Sequence, residues 1–310
     1  MPAARNALTP EALALVQTVA ESGSFAAAAR VLHQVPSALT YRVRQLEDAL
    51  DVLLFDRSSR QARLTEAGRE LLCEGERLLH DIDAVANRVK RVATGWESQL
   101  CIAADSLIAR PVLMELACSF FQLNPPTRLR IRDETLTGTL QALTLGLADL
   151  ALGVTPEAGS AGGLHSQPLH SVAFVFAVAP HHPLAVGDKP LSDEEIRNHR
   201  AIAVADTVQR GNGATFGLLG GQDVFTVPNM LAKLDAQLRG LGCGFLPEPM
   251  ARPFIETGRL VVRSVERASR QAQPRYAWRA TGKPGRALQW WLDQLQSPVT
   301  RQALLERHHG

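Results

Sequence analysis

The residues best suited to bind another molecule lie near residue 40. Ser37, Tyr41 and Arg44 recur at a spacing that places them on one side of a helix, at about 100° per residue. Thr40 and Arg42 fall on the two flanks of that side. Hydroxyl, phenol and guanidinium groups donate hydrogen bonds that suit phosphate oxygens and the edges of bases. This side of the helix is therefore predicted to bind nucleic acid.

The distribution of charge supports this prediction, whereas the total charge does not. The chain of 310 residues has a formal net charge of +2, and its first 66 residues contain seven Lys or Arg and seven Asp or Glu. However, no Asp or Glu occurs between residues 22 and 46. A carboxylate in this segment would lie near phosphates and oppose docking. The segment is therefore expected to meet a polyanion.

Three helices are predicted to position these side chains. A first helix begins after Thr9 at Pro10 and stops at Gly23, and Ser24 caps a second. After the turn "HQV", Pro36 begins the third, whose inward stripe is Leu39, Val43, Leu46 and Leu50. Two short helices joined by a tight turn indicate a helix-turn-helix that reads a DNA major groove. The alternative is an ordinary helical hairpin with a polar face toward solvent.

The next segment, "DVLLFDRSSRQARLT", predicts a wing after the third helix. It reads as a short strand over 53–55, a basic turn, and a return strand at residues 63–64. Arg57, Arg60 and Arg63 would be available to phosphates or to the minor groove. A solvated surface turn would explain the same arginines without DNA.

The stretch "SGSFAAAARVLHQVPSALTYRVRQLEDALDVLLFDRSSRQARLTEAG" resembles the N-terminal domain of LysR-type transcriptional regulators. It shares S-F-x-x-A-A-x-x-L, x-x-L-E, L-F-x-R and L-T-x-A-G with that family at fixed spacing. The resemblance implies that the groove is read by the start of the third helix, namely by Pro36, Ser37, Thr40, Tyr41 and Arg44.

Three positions depart from the family pattern. The family often has glutamine where Pro36 stands, serine where Thr40 stands and glycine where Asp51 stands. Loss of the glutamine removes a side chain that can bind adenine in a bidentate way. The base preferences of the family are therefore not assumed at that position.

A long helix is predicted from Thr65 to about Thr94. Its apolar positions alternate spacings of four and three residues: Leu71, Gly75, Leu78, Ile82, Val85, Val89 and Val92. This seven-residue period is typical of a helix packed along a partner helix, and packing against the chain's own body is the alternative. A homodimer is the interpretation favoured, and the family resemblance implies the same, often with tetramers.

The second half of the chain alternates strand and helix patterns, which predicts parallel sheets in two α/β lobes with a ligand cleft between them. "DLALG", "PHHPLA", "GLGCGFLP" and "GRLV" resemble the effector-binding domain of the same family, which is built like a periplasmic binding protein. The expected domains are a winged helix-turn-helix over 1–66, a linker helix over 67–96 and an effector-binding domain over 97–310. Lobe I is expected at about 97–165 and 270–300, and lobe II at about 166–269.

Polar residues at strand ends are the candidate ligands of an effector. Ser106 follows the first strand of the domain, and Thr135 and Thr137 follow the second. Asp206 and Thr207 follow a strand in the facing lobe. Each of the five could instead be a helix N-cap. Asp206 would argue for a cationic or hydroxyl-bearing ligand.

Other patterns favour ordinary roles. The four cysteines lack metal-ligand spacing, His181 and His182 on an extended segment point apart, and "GLGCG" follows a helix rather than a strand. No G-x-S-x-G, H-E-x-x-H or G-x-x-x-x-G-K motif is present. The protein is therefore not expected to be an enzyme or to bind a cofactor or a metal ion. No apolar run reaches membrane length, which predicts a cytoplasmic protein.

The leading hypothesis is a transcriptional regulator. Its expected partners are an operator in double-stranded DNA, a small-molecule effector of unknown identity, a second or further copies of the chain, and RNA polymerase. A cytosolic solute-binding protein whose N-terminal region only mediates association is the second hypothesis. An enzyme that uses the cleft is the third, and no sequence feature nominates its substrate.

Overall fold

The structure, a computed structural model, describes residues 6–56, 62–155, 163–208, 217–267, 270–280 and 282–309. The chain forms two compact units, Met1–Val89 and Lys90–Gly310. Unit 1 is mainly helical, and the described part of unit 2 contains sheets of five, four and two strands together with helices. The two units are described separately below.

Unit 1 begins with three helices, α1 (Pro10–Ser22), α2 (Phe25–Val31) and α3 (Pro36–Leu50). The predicted caps are confirmed: the Thr9 side chain accepts from the N–H of Ala12, and Ser24 accepts from that of Ala27. Their apolar faces form one core, whose fully buried members include Val19, Ala28, Leu39 and Leu54. This core fixes the direction in which α3 presents its other face.

A residue with positive φ follows the end of α2 and another follows the end of α3. His33 has φ 52° in the turn that leads to α3, and Asp51 has φ 57° at the C-cap of α3. Asp51 is the position at which the family often has glycine. The geometry explains that preference, because glycine adopts positive φ without steric cost and aspartate is among the residues that tolerate it better than most.

A short wing follows. Strand β1 (Phe55–Asp56) pairs in antiparallel fashion with β2 (Arg63–Leu64). The return strand is where the sequence predicts it, but the first strand begins at Phe55 instead of Leu53. The strand starts two residues later than predicted because the N–H groups of Leu54 and Phe55 bond to the Glu47 side chain. Arg57 and Arg60 lie outside the described residues.

Helix α4 (Glu66–Thr94) matches the predicted long helix. The residues of its apolar stripe lie in two different environments. Leu71 packs against the core of unit 1, and the Cβ that a side chain would add at Gly75 lies 3.1 Å from Leu13 Cδ2. From Leu78 onward the stripe is exposed, reaching 66% at Val89. Assigning Leu71 and Gly75 to a seam between helices was therefore wrong, because both positions contact the chain's own body.

Lobe I of unit 2 contains a five-stranded sheet in the order β4-β3-β5-β13-β6. The strands are β3 (Gln99–Asp105), β4 (Arg128–Glu134), β5 (Leu150–Val154), β6 (Leu164–Pro168) and β13 (Arg275–Arg279). β3 is parallel to β4 and β5, whereas β13 is antiparallel to β5 and β6. The sheet packs against helices α5 (Arg110–Phe121), α6 (Gly138–Thr144), α10 (Arg286–Gln296) and α11 (Pro298–Glu306).

Lobe II is built around β7 (Val172–Val178). It pairs in antiparallel fashion with β10 (Gly244–Pro247), β11 (Val261–Val262) and β12 (Arg270–Ala272). The parallel pairing predicted for this lobe is thus wrong for β7, and it holds for β8 (Ala201–Val204) with β9 (Val224–Val227). Alternating strands and helices do not reveal that β7 enters the sheet against the direction of its neighbours. The helices are α7 (Asp193–Arg197), α8 (Met230–Leu238) and α9 (Glu248–Glu256).

The chain crosses between the lobes at residues 169–171 and 273–274, between β6 and β7 and between β12 and β13. These crossings lie a few residues beyond the expected lobe boundaries. Across the described residues, no single helix has both the length and the apolar character to cross a membrane. α1 and α2 meet that criterion only when taken together across a bend of 117°.

Candidate nucleic-acid interface and effector cavity

The outward face of α3 comprises Pro36, Ser37, Thr40, Tyr41 and Arg44. Tyr41 is 62% exposed, and Pro36, Ser37 and Arg44 are exposed as well. Thr40 is half-buried and donates its hydroxyl to the carbonyl of Pro36 at 2.9 Å. The flanking Arg42 is also half-buried. The side chains that the helical spacing turned outward therefore do point away from the core of unit 1.

Two features prepare this face for hydrogen bonding. Val35 precedes the helix and supplies no capping side chain, so the Ser37 N–H at the start of α3 has no side-chain cap, whereas Pro36 has no N–H and the Ala38 N–H bonds to the Val35 carbonyl at 3.0 Å. The Tyr41 hydroxyl accepts a bond from Gln45 Nε2 at 3.0 Å, which leaves its own proton available to an acceptor. A phosphate oxygen is an acceptor of the required kind.

The first carboxylate after this face, Glu47, is turned inward. It is only 4% exposed, and its Oε1 accepts from the N–H groups of Leu54 at 2.8 Å and Phe55 at 3.3 Å. Glu47 thus joins the end of α3 to the start of the wing. The sequence places it about three turns into the helix, but only the structure shows that its charge does not lie on the outward face.

A close approach of two segments fixes the other end of the wing. Gly68, in the first turn of α4, lies against the backbone of Leu54, and an added Cβ would overlap the Leu54 carbonyl oxygen. The Thr65 hydroxyl donates to the Leu53 carbonyl at 2.6 Å and accepts from the Gly68 N–H at 3.0 Å. The L-T-x-A-G motif therefore holds the start of α4 against the segment that precedes the wing. Arg63, in β2, is exposed.

In unit 2, a cavity of about 350 Å³ lies between the lobes. This volume is at the small end of the range for ligand pockets. Most of its lining is apolar. Its walls come from β3, β5 and the segments that follow β3, β4 and β5 in lobe I, and from β7, β8, α8, β10, β12 and the residue after β12 on the other side. The lining residues are Asp105, Ser106, Leu107, Leu136, Gly153, Thr155, Phe174, Val204, Met230, Lys233, Phe245, Gln271, Ala272 and Gln273.

Of the five effector candidates named from the sequence, Ser106 lines this cavity. The other four lie beside it in hydrogen bonds that join the two lobes. The Thr137 hydroxyl donates to Asp206 Oδ2 at 2.7 Å, and the Thr207 hydroxyl accepts from the Thr135 N–H at 3.2 Å. The Thr135 hydroxyl also donates to the Ala205 carbonyl at 2.6 Å. We call Thr135, Thr137, Ala205, Asp206 and Thr207 the interlobe latch.

The latch leaves little space between the lobes. Gly138 is buried, and an added Cβ would overlap Thr207 Oγ1. Leu107 packs against the apolar clusters of both lobes. The lobes are thus held together by polar contacts at the latch and by an apolar contact at Leu107.

Two ionisable residues of the cavity were not singled out from the sequence. Asp105 ends β3, and its two oxygens accept from the N–H groups of Leu107 at 2.8 Å and Leu136 at 2.9 Å. Burial raises its pKa to about 7, against the opposing effect of these two bonds. The second residue is Lys233 of α8, which is 7% exposed. The sequence did contain a signal for it, because Lys233 interrupts the inward stripe of Met230, Leu234 and Gln237.

The other histidine, tryptophan and cysteine residues considered from the sequence lie in packed or hydrogen-bonded positions that do not form a binding site. His182 is buried and accepts from the Leu184 N–H at 3.2 Å through Nδ1, and Trp291 is fully buried in the lobe I core. Among the described residues, no group of three or more His, Cys, Asp or Glu is arranged to hold a metal ion. The four cysteines are free thiols, and burial raises the pKa of both Cys101 and Cys243 to about 11.

Comparison with known proteins gives a consistent result. Residues 10–69 match the model described as "Bacterial regulatory helix-turn-helix protein, lysR family", and residues 93–298 match the "LysR substrate binding domain". The uncharacterized HTH-type transcriptional regulator YeeY of Escherichia coli K12 is 36% identical over 92% of each chain. The probable HTH-type transcriptional regulator YhaJ of the same strain is 36% identical over 94% of this chain and 97% of its own.

Solved structures give the same fold. The crystal structure of full-length CbnR complexed with its target DNA superposes with a TM-score of 0.61 at 19% identity, covering 94% of this chain and 99% of that one. At this level of identity, the similarity concerns the fold alone. The fold is an N-terminal helix-turn-helix domain followed by a two-lobed substrate-binding domain.

Proposed function

Because this chain belongs to the LysR family of DNA-binding transcriptional regulators, which are not enzymes, we propose that the outward face of α3 reads the base edges of an operator. The observation that carries this proposal is an exposed donor face whose own five residues include no carboxylate. The first acidic residue after it in the chain, Glu47, is buried, and the exposed Asp48 follows one turn beyond Arg44. Arg44 suits guanine O6 and N7, and Ser37 and Tyr41 suit phosphate or base acceptors. Pro36, Thr40 and Arg42 border the same contact.

The wing adds affinity without sequence preference. Arg63 is exposed on β2, and Arg57 and Arg60 precede it in the chain. Arginines in such a wing bind phosphates or enter a minor groove. Each phosphate contact releases counterions, so the wing is expected to make binding depend on salt concentration.

The cavity between the lobes is proposed as the effector site. Ser106 contacts the ligand from lobe I, while Thr135, Thr137, Asp206 and Thr207 act at its edge by holding the lobes together through the latch. A ligand can shift the protein only by binding two arrangements of the lobes with different affinity. The Thr207 hydroxyl also donates to the Thr135 carbonyl at 3.2 Å, so the latch contains four hydrogen bonds that such a ligand would strengthen or break.

The exposed part of α4 is proposed to pair two copies of the chain. Leu78, Ile82, Val85, Val89 and Val92 form an apolar stripe that is 43–88% exposed. Members of the family form oligomers, and a dimer would present two copies of α3 to two half-sites. Tetramers, RNA polymerase as a further partner and residence in the cytoplasm follow from the same family role.

The direct experiment compares Arg44→Ala with Arg63→Ala on an operator selected from a random duplex library. Arg44→Ala should weaken binding to the selected operator by about 1–3 kcal/mol, roughly tenfold to a hundredfold, and leave binding to unrelated DNA nearly unchanged. Arg63→Ala should weaken binding to both and lower the slope of log affinity against log salt by about one. Arg200→Ala, an exposed arginine of lobe II, is the matched control.

Two results would count against the proposal. Equal losses for Arg44→Ala and Arg63→Ala on unrelated DNA would remove the base-reading role of the outward face. If the wild-type protein bound no duplex at low salt, a solute-binding protein would be the better interpretation.

A further inference from the structure

We propose that Val35 and Pro36 are specificity-determining residues that contact the C5-methyl group of a thymine in the operator, while the Ser37 hydroxyl binds the neighbouring O4. This inference rests on the proposed function, because it takes the outward face of α3 as the surface that reads base edges. It adds two residues and the base that they select in each half-site. Val35 and Pro36 are called the apolar corner below.

Val35 is an apolar side chain that the fold leaves in solvent. It is 62% exposed at the N-cap of α3, and it lies outside the apolar core that the described residues of unit 1 form. Thr9 and Ser24, the N-caps of α1 and α2, each accept a backbone N–H through the side chain, whereas a valine side chain has no acceptor atom. Valine is also among the least favourable N-cap residues. The side chain of Val35 therefore stabilises neither the core nor the start of the helix.

Pro36 extends this apolar surface onto the outward face of α3. It is exposed at the first helical position, and its ring nitrogen carries no N–H that could donate to a base. The Thr40 hydroxyl donates to the Pro36 carbonyl at 2.9 Å, so its proton is used within the helix. The residue next to Pro36, Ser37, is exposed and has a hydroxyl that can donate. The start of α3 thus presents an apolar surface with a donor beside it.

A thymine edge has the complementary arrangement. In the major groove, thymine presents its C5-methyl group beside the O4 acceptor, whereas cytosine lacks the methyl group and presents an N4 donor. A purine would place its polar N7 against the apolar corner, where this acceptor would lose water without gaining a donor. The N-terminal residues of a recognition helix are those that contact base edges in a helix-turn-helix. The apolar corner and Ser37 therefore favour thymine over the other three bases.

The surroundings of the apolar corner favour DNA over a protein as its partner. Arg42 and Arg44 follow on the same helix, and no Asp or Glu occurs between residues 22 and 46. An apolar patch on another protein would satisfy Val35 but would offer no acceptors to these arginines. A DNA duplex presents thymine methyl groups between two rows of phosphates, so it matches the apolar corner and the charge around it.

The test removes single methyl groups from the DNA and from the protein. The full-length protein is titrated with an operator selected from a random duplex library, and each thymine is replaced in turn by deoxyuridine, which lacks only the C5-methyl group. At one position in each half-site, deoxyuridine should weaken binding by the wild type about threefold to fivefold, the effect of one buried methyl group. Cytosine at that position should weaken binding roughly tenfold or more.

Val35 variants supply the protein side of the same double-mutant cycle. Val35→Ala should weaken binding to the thymine operator and become insensitive to deoxyuridine at that position, because the contact is already lost. Val35→Ser should lose the sensitivity too, although serine restores a helix cap, which separates the base contact from helix stability. Pro36→Ala should reduce the sensitivity. Val52→Ala is the matched control and should keep it, because Val52 is 43% exposed beyond the opposite end of α3.

The outcomes separate the apolar corner from the function as a whole. The inference is overturned if deoxyuridine at every thymine leaves the affinity of the wild type unchanged. It is also overturned if Val35→Ala and Val35→Ser bind more weakly but stay as sensitive to deoxyuridine as the wild type, because Val35 would then act through another partner or through the helix alone. Failure of the wild type to bind any duplex would instead reject the proposed function.

Discussion

On the outward face of α3, the donors are exposed and Tyr41 keeps a proton for an acceptor, whereas in the interlobe latch Thr137 and Asp206 already bond to each other. The first arrangement is suited to a partner that arrives from outside with many acceptors. The second is suited to a change of shape, because its hydrogen bonds can form only when the lobes approach. The same residue types, hydroxyls and charged groups, thus indicate binding in one region and conformational coupling in the other.

The largest effect is expected where the outward face is anchored to unit 1. Glu47→Ala would leave the buried N–H groups of Leu54 and Phe55 without their carboxylate acceptor, at a cost of about 2–4 kcal/mol in the free energy of unfolding. Glu47→Gln keeps one acceptor oxygen and should lose less. Chemical denaturation monitored by circular dichroism checks both. Equal stability of wild type and Glu47→Ala would show that Glu47 does not anchor the face.

This comparison also shows what the sequence could and could not predict. Helical spacing identified the exposed side chains of α3, because the core of unit 1 is built from the opposite stripe of the same helix. Caps such as Thr9 and Ser24 were predicted for the same local reason. The latch depends on Thr137 and Asp206, which are 69 residues apart. Strand-end position predicted that these polar residues lie at the cleft, but not that they bond to each other.

Two misassigned features have similar causes. The seven-residue period of α4 is continuous from Leu71 to Val92, yet its first turns pack on Leu13 and the core of unit 1. Periodicity reports which side of a helix is apolar and does not report what covers it. Lys233 was missed because a lysine in an amphipathic helix is usually placed on the solvated side, and only the register with Met230 and Leu234 shows that it points inward.

The latch can be opened with little change to the backbone. Gly138→Ala would place a methyl group where Thr207 Oγ1 lies, and overpacking of this kind costs about 1–3 kcal/mol. Gly138 does not have a positive φ, so the substitution should act through the contact between lobes. We expect a lower Tm and weaker effector binding. Operator affinity should change only as far as it depends on the arrangement of the lobes. Calorimetry and gel shifts measure these quantities.

The control for this variant is Gly220→Ala. Gly220 also lacks a positive φ, and an added Cβ would meet no atom within 4 Å in the described structure. It should behave like the wild type. If Gly138→Ala left both Tm and effector affinity unchanged, the latch would have no part in holding the lobes together.

A pH-dependent effect on stability is expected from Asp105. The pKa of Asp105 rises from 3.8 to about 7 in the folded protein, so the folded state binds this proton more tightly than the unfolded state. Below about pH 4 both states are protonated and Asp105 has no influence. As pH rises from about 4 to about 7, stability is lost, and above that range the loss is constant. Tm should fall less steeply with pH in Asp105→Asn than in the wild type, and parallel curves would contradict this.

The outward face of α3 is tested most directly by dimethyl sulfate footprinting on a selected operator, because this reagent methylates guanine N7 in the major groove. The wild-type protein should protect guanines in two half-sites separated by about one helical turn or a multiple of it. Arg44→Ala, at matched occupancy, should lose protection at one guanine position in each half-site. Protection confined to the minor groove, or an unchanged pattern in Arg44→Ala, would contradict major-groove reading by this face.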